Sequence, residues 1–247
     1  MPTNVKNFFG KIWLAWAAFT FVLSWPFVWI AYQITAITQP AEKVYKPAFH
    51  ITKIWGHYVL FCLGVRVRVH GKENRAKHDQ VVYVSNHRSQ VDIPINFTST
   101  PQFVILSKSE ALKIPAVSTN LKLAHVTVNR KEKGSRKQSL VALRTHLSQG
   151  RSILLYPEGR RPREEVAVGE FQAGAFMLAK EFSLPIVPVT IIGSDKINNP
   201  KQPLALFPGT IEVFFEEKIW PQNHDSIEEF QNYVQQVMRT RIINETN

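Results

Sequence analysis

For thirty consecutive positions, Ile12 to Ala41, the chain carries no charged side chain. This run constrains the fold more than any other feature, because so long an apolar stretch must be covered by protein or by lipid. It contains IWLAWAAFTFVLSWPFVWIAY, and about 20 apolar residues suffice for a spanning helix. Three features complicate a simple span. Pro26 falls inside the run, where it is expected to break or kink a helix. Trp13, Trp16, Trp25 and Trp29 are spread along it, and tryptophan favours the headgroup region of a bilayer. Lysines flank both sides (Lys6 and Lys11 before; Lys43, Lys46 and Lys53 after), so charge asymmetry assigns no direction.

A second stretch, Phe49 to Val65, is apolar but interrupted by His50, Lys53 and His57, which suits a helix lying in the interface. Two helices embedded in one leaflet are the favoured reading, with a single span as the alternative. A cleaved signal peptide is disfavoured, since the run exceeds the usual apolar core of about 7–15 residues. Cys62, the sole cysteine, lies in this second stretch, so no internal disulfide can form, and a packed, inert thiol is expected there.

After Gly64 the texture changes. VRVRVH, Val65 to His70, alternates strictly and reads as a half-buried strand. Further short β-rich runs follow at Gln80–Ser85, Gln102–Leu106, His125–Asn129, Ser152–Tyr156, Ile186–Ile192 and Thr210–Phe215. Helical patterns lie between several of them. Ser135 to Gln149 groups Leu140, Val141, Leu143 and Leu147 on one face and stops at Gly150. Phe171 to Phe182 is a second, ended by Pro185. Ser226 to Ile243 opens with Ser226 and Glu229 at capping-box spacing, then places Ile227, Phe230, Val234, Val237 and Ile242 at helical intervals. Strands alternating with helices predict an α/β layer structure. The expected organisation is a membrane-associated helical segment over residues 1–64 and a single catalytic domain over 65–247.

The chemistry concentrates where strands end. SNHRSQVD follows the Gln80–Ser85 run and sets His87 and Asp92 five apart. Asp92 in the turn could hold the imidazole in one tautomer, leaving the other nitrogen to accept a proton. With no matching Ser or Cys nucleophile, such a pair suits direct base catalysis on a substrate hydroxyl. Taken alone, the spacing is more often met by a surface histidine and a capping aspartate. Arg130 closes HVTVNR, and LLYPEGRRPR brings Glu158, Gly159, Arg160, Arg161 and Arg163 to a sharp turn. Lys108 ends the run QFVILSK. Cations at strand ends can hold phosphate, and the formal net charge of +11 also calls for an anionic partner. No zinc-finger, RNP or basic-helix pattern points to nucleic acid, and the eight histidines show no metal-ligand spacing.

The ordered set NHRSQVD, HVTVNR, YPEGRR and IVPV resembles the four sequence blocks of the glycerolipid acyltransferases, in particular the 1-acylglycerol-3-phosphate acyltransferases. The resemblance runs from about Val65 to Phe215, and Lys108 to Leu112 followed by Ile114-Pro115 matches the intervening segment. It implies a central, mostly parallel or mixed sheet flanked by helices, with an N-terminal membrane-embedded segment. It also implies His87 as general base and Asp92 as its orienting partner. Lys108, Arg130 and Arg161 would bind the acceptor phosphate, Glu158 and Gly159 would shape their turn, and Phe171 and Gly174 would pack near the site. The implied reaction moves an acyl group from acyl-CoA or acyl-carrier protein to the sn-2 hydroxyl of lysophosphatidic acid, giving phosphatidic acid, with no cofactor or metal. Its implied place is the bilayer, on the cytoplasmic face.

Four positions depart from the family pattern: Ala124, Thr127, Arg160 and Gln172 stand where Gly, Phe, Thr and Lys are usual. Arg160 adds a charge beside the phosphate positions, so acceptor preference is the property these changes touch. Other acceptors, glycerol 3-phosphate or another lysolipid, are the alternative within the enzyme class. A non-catalytic anionic-lipid-binding protein is the alternative outside it, but such a protein has no use for His87 with Asp92.

Overall fold

A computed structural model describes residues 3–76, 78–129, 132, 134–161, 167–199, 201–202 and 204–246. Helix α1 (Thr3–Thr38) is followed by α2 (Tyr45–Cys62), β1 (Val65–His70), β2 (Val82–Ser85), α3 (Asp92–Ser99), β3 (Val104–Lys108) and α4 (Pro115–Ala124). Then come β4 (Val126–Val128), α5 (Ser135–Ser148), β5 (Ile153–Leu155), α6 (Gly174–Glu181), β6 (Ile186–Ile192), α7 (Ser194–Ile197), β7 (Gly209–Phe215) and α8 (Ile227–Thr246). The expected strands all form, their ends falling within two residues of the sequence runs.

The seven strands make one mixed sheet in the order β1-β7-β6-β2-β5-β3-β4. Every neighbouring pair is parallel except β6 and β7. Because side chains alternate across a strand, the sheet builds two cores. Val82, Val84, Ile153 and Leu155 face one layer, with Leu143, Phe176, Phe230 and Val234 from α5, α6 and α8. Tyr83, Leu154, Val187 and Val189 face the other, with Phe49 and Leu60 of α2 and Ile95 of α3. Each fully buried large side chain contributes about 1.5–3 kcal/mol. Polar residues thus end up at strand termini and in the turns beyond them.

The N-terminal helices differ from expectation in one respect. Rather than breaking at Pro26, α1 continues through it as a single helix of 36 residues. The reason lies in α2, which runs antiparallel beside it and holds α1 on both sides of the proline. Trp13 and Trp16 donate from their indole N–H groups to the carbonyls of Leu63 and Cys62, each at 3.0 Å. Trp55 donates to Ser24 Oγ at 2.9 Å, and the hydroxyls of Tyr32 and Thr52 pair at 2.8 Å. Among the described residues, Phe8–Thr38 is one stretch long and apolar enough to cross a membrane, with a mean hydropathy of 1.7. Its outer face is uncovered: Phe19, Val22, Leu23 and Phe27 are exposed, as are Ile54 and Phe61 of α2. Cys62 is half-buried at the end of α2 rather than packed in a core.

Smaller differences follow from packing. Val141 is 52% exposed, because α5 turns Ser135, Ser139, Leu143 and Leu147 inward instead. On α8 the buried positions are Phe230, Val234 and Met238, while Val237 and Ile242 lie at the margin. Helix α4 has no counterpart in the sequence reading. Its segment, PAVSTNLKLA, is rich in weak helix formers, but Pro115 suits the first helical turn.

Candidate active site

Strands β2, β5, β3 and β4 are adjacent and parallel. Their C-terminal ends, and therefore the His87, Glu158 and Lys108 segments at the ends of β2, β5 and β3, meet at one edge of the sheet, where α/β folds hold ligands. Beyond β2, Asn86 takes the place of a further strand residue. Its side chain, 1% exposed, donates to Ile191 O at 2.8 Å and accepts from Ile191 N–H at 2.7 Å. The chain then turns through His87 into α3.

Asp92, in the first turn of α3, is fully buried. Its Oδ2 accepts from the N–H groups of Arg88 and Ser89, both at 2.7 Å, and meets His87 Nδ1 at 3.0 Å. A carboxylate bearing such contacts can only accept. His87 Nδ1 therefore carries the hydrogen, and Nε2 of the neutral ring is left as an acceptor. The His87 ring stacks on Tyr156, with centroids 4.3 Å apart and planes 22° from parallel. Asn96 Nδ2 fixes the Tyr156 hydroxyl at 3.0 Å, and burial, reinforced by nearby Asp92, pushes that phenol up, so it stays neutral. The His87 side chain remains 17% exposed.

Glu158 follows β5 and is itself buried, at 7% exposure. One carboxylate oxygen accepts from His87 N–H at 2.8 Å and the other from Gly169 N–H at 2.9 Å. Burial raises its carboxyl above the usual range, against the opposing pull of these two donors. Gly169 leaves room for the contact, since a Cβ there would lie 2.8 Å from Glu158 Oε2. Gly159 completes the turn with a left-handed φ of 68°. Phe171 is buried against Phe176, and Gly174 opens α6.

A groove of about 1480 Å³ reaches the His87 turn at Gln90, Tyr156 and Glu158. Lys108, Arg160 and Arg161 border it, as the sequence reading grouped them. Arg136 of α5 and Arg239 of α8 border it too. The sequence reading missed both, for neither lies in a motif and Arg239 stands far beyond the last one. Among the described residues none of these five cations is in an ion pair, and they outnumber the two carboxylates that also line the groove, Glu158 and Glu170, so its field is net positive. Arg130 and Arg163 lie outside the described residues.

A family model described as Acyltransferase matches residues 66–192, just over half of the 247-residue chain. The chain belongs to the acyltransferase family. Among its relatives, a 1-acyl-sn-glycerol-3-phosphate acyltransferase of Chlamydomonas reinhardtii is 28% identical over 214 residues. That alignment covers 84% of the chain but 63% of the relative. An enzyme of the same name from Borreliella burgdorferi is 34% identical over 140 residues, 55% of each chain. In three dimensions the fold is that of the 1-acyl-sn-glycerophosphate (LPA) acyltransferase PlsC from Thermotoga maritima. That match has a TM-score of 0.81 at 24% identity, and it covers 99% of this chain and 98% of that one. The mixed α/β sheet expected from the sequence is therefore shared along the whole molecule.

Proposed function

We propose that this acyltransferase transfers a fatty acyl group from an acyl thioester to the sn-2 hydroxyl of a 1-acylglycerol 3-phosphate, forming phosphatidate. One observation carries the reading. Asp92 occupies His87 Nδ1, the ring stays partly exposed, and no serine or cysteine side chain is bonded to Nε2 among the described residues. A base without a protein nucleophile acts on a hydroxyl that the substrate brings. The names of the relatives support the same acceptor.

In this mechanism His87 Nε2 takes the hydroxyl proton as the oxygen bonds to the thioester carbonyl carbon. The tetrahedral adduct then expels the thiolate, which recovers the proton from the imidazolium. Asp92 stabilises the imidazolium in between. Lys108, Arg160 and Arg161, with Arg130, hold the acceptor phosphate and so fix its hydroxyl near the base. Acyl-CoA or acyl-carrier protein supplies the thioester. Residues 1–64 attach the catalytic domain to the cytoplasmic face of a membrane, where both substrates reside. The exposed apolar faces of α1 and α2 support contact with a bilayer.

The test is turnover of lysophosphatidate and acyl-CoA by the full chain in lipid vesicles, with His87→Ala beside it. Loss of the base should lower kcat by on the order of 10²–10⁴-fold. Equal turnover by both proteins would remove His87 from the mechanism.

A further inference from the structure

The turn carrying His87 and Asp92 is held from outside the sheet by the segment joining β6 to β7. Arg88 approaches Asp195 of α7 at 3.6 Å. The buried Ser89 hydroxyl donates to the Asn198 carbonyl at 3.0 Å. Asn198, only 7% exposed, donates from Nδ2 to Ala205 O at 3.2 Å. Phe207 N–H closes the neck of this loop on Ile197 O at 3.0 Å, and Leu206 N–H donates to Gly10 O on α1 at 3.1 Å. A chain of hydrogen bonds therefore leads from the Asp92 carboxylate, through Ser89, Asn198 and Ala205–Leu206, to the N-terminal part of the long apolar helix.

The contact at α1 is closely fitted. A Cβ on Gly10 would stand 2.7 Å from Phe207 Cζ and 3.0 Å from Ala205 Cβ. Just beyond it Gly64, at a left-handed φ of 64°, leaves 2.9 Å between its own absent Cβ and Pro208 Cβ. Beside this junction Phe8, Phe9 and Leu204 are exposed at 62%, 53% and 69%. The same few residues thus touch the helix whose outer face is bare and the turn that aims the base.

We propose that the Asn198 and Ala205–Phe207 limbs of this loop form a brace that transmits the seating of α1 to the His87–Asp92 turn, with Asn198 as the positioning residue. The inference rests on the reading of His87 as base and deepens it: the site is assembled only when the helix is in place. A misplacement of about 1 Å in such a site can cost roughly 100-fold in rate.

The test uses the full chain in vesicles with lysophosphatidate and acyl-CoA. Asn198→Ala and Gly10→Ala should each lower kcat by about 10-fold or more with vesicle co-sedimentation unchanged, and Gly10→Ala, remote from the groove, should leave acceptor KM unchanged as well. The pH dependence of kcat/KM should also shift along its axis, whereas loss of folded protein would only scale the curve. Because both changes cut one relay, the double variant should be no worse than the worse single one. Adding Phe207→Leu to Gly10→Ala removes the crowding atom and should restore kcat. Wild-type kcat in both single variants, multiplicative losses in the double, or a profile that is scaled without shifting would each overturn the brace. If His87→Ala is inactive in that same experiment, the base survives; if it is active, the base fails independently.

Discussion

N–H groups converge on one oxygen of the buried Asp92 side chain, while its other oxygen has no hydrogen-bond partner among the described residues. Asn at that position keeps the size but not the charge that, in the proposed mechanism, fixes the tautomer and steadies the imidazolium. Asp92→Asn should therefore lower kcat by on the order of 10²–10⁴-fold, measured as turnover, with the protein still folded. Glu158 serves main-chain groups, so Gln can satisfy only one of them. Glu158→Gln should cost about 1–3 kcal/mol in urea unfolding and depress kcat as His87 loses its support. His125 is buried, with Nδ1 accepting from Ile105 N–H at 3.2 Å, and burial first, then His146, pulls it from 6.5 down to about 3. The unfolded chain binds the extra proton between those values, so this stability is present above pH 6.5 and lost as pH falls toward 3. His125→Asn, which retains an acceptor, should remove up to about 1.4 kcal/mol per pH unit from that slope in denaturation at pH 4–6. Asp92 could be read from its spacing to His87. The grip of Glu158 could not, because its donors are amides 71 and 11 positions away that carry no side-chain signature.

Among the elements, strands were the most legible, since β1 alternates and the interior strands are short apolar runs bounded by turn residues. Helix α8 announced its own start. Ser226 Oγ accepts from Glu229 N–H at 3.0 Å, while the Glu229 carboxylate reaches back to Asp225 N–H at 2.8 Å. Ser226→Ala should lower stability by about 1 kcal/mol, read from the thermal midpoint, without changing KM. The continuity of α1 through Pro26 was not legible. A local rule predicts the break, and contacts remote in sequence, such as those of Trp55 and Thr52 on α2, hold the helix on either side of it. Helix α4 was hidden for a related reason: α1 and α2 pack against it, and that packing outweighs its weak intrinsic preference.

For the molecule as a whole, the net charge of +11 is unevenly spent. Several surface arginines are paired, Arg144 with Glu181 and Arg241 with Glu216 among them, while the cations of the groove are not. Raising ionic strength should therefore raise KM for lysophosphatidate several-fold in a steady-state assay, since exposed charges are screened within about 8–10 Å near physiological salt. Arg239→Ala should raise it at low salt, and Arg144→Ala should not. The sum of charge was visible in the sequence; its segregation was not, because α5 and α8 bring Arg136 and Arg239 to the groove only through tertiary packing.

The sheet order also sets a timetable for biosynthesis. Among the described residues strand β1 pairs with β7 alone, and Val65 must wait for Gly209, 144 positions later. At about 5–20 residues per second the ribosome needs roughly 7–30 s to deliver that partner. Throughout this interval the apolar hairpin of α1 and α2 has already emerged, while the β-layer it will pack against is still incomplete. On the proposed reading, lipid can receive the hairpin before the sheet beneath it is closed.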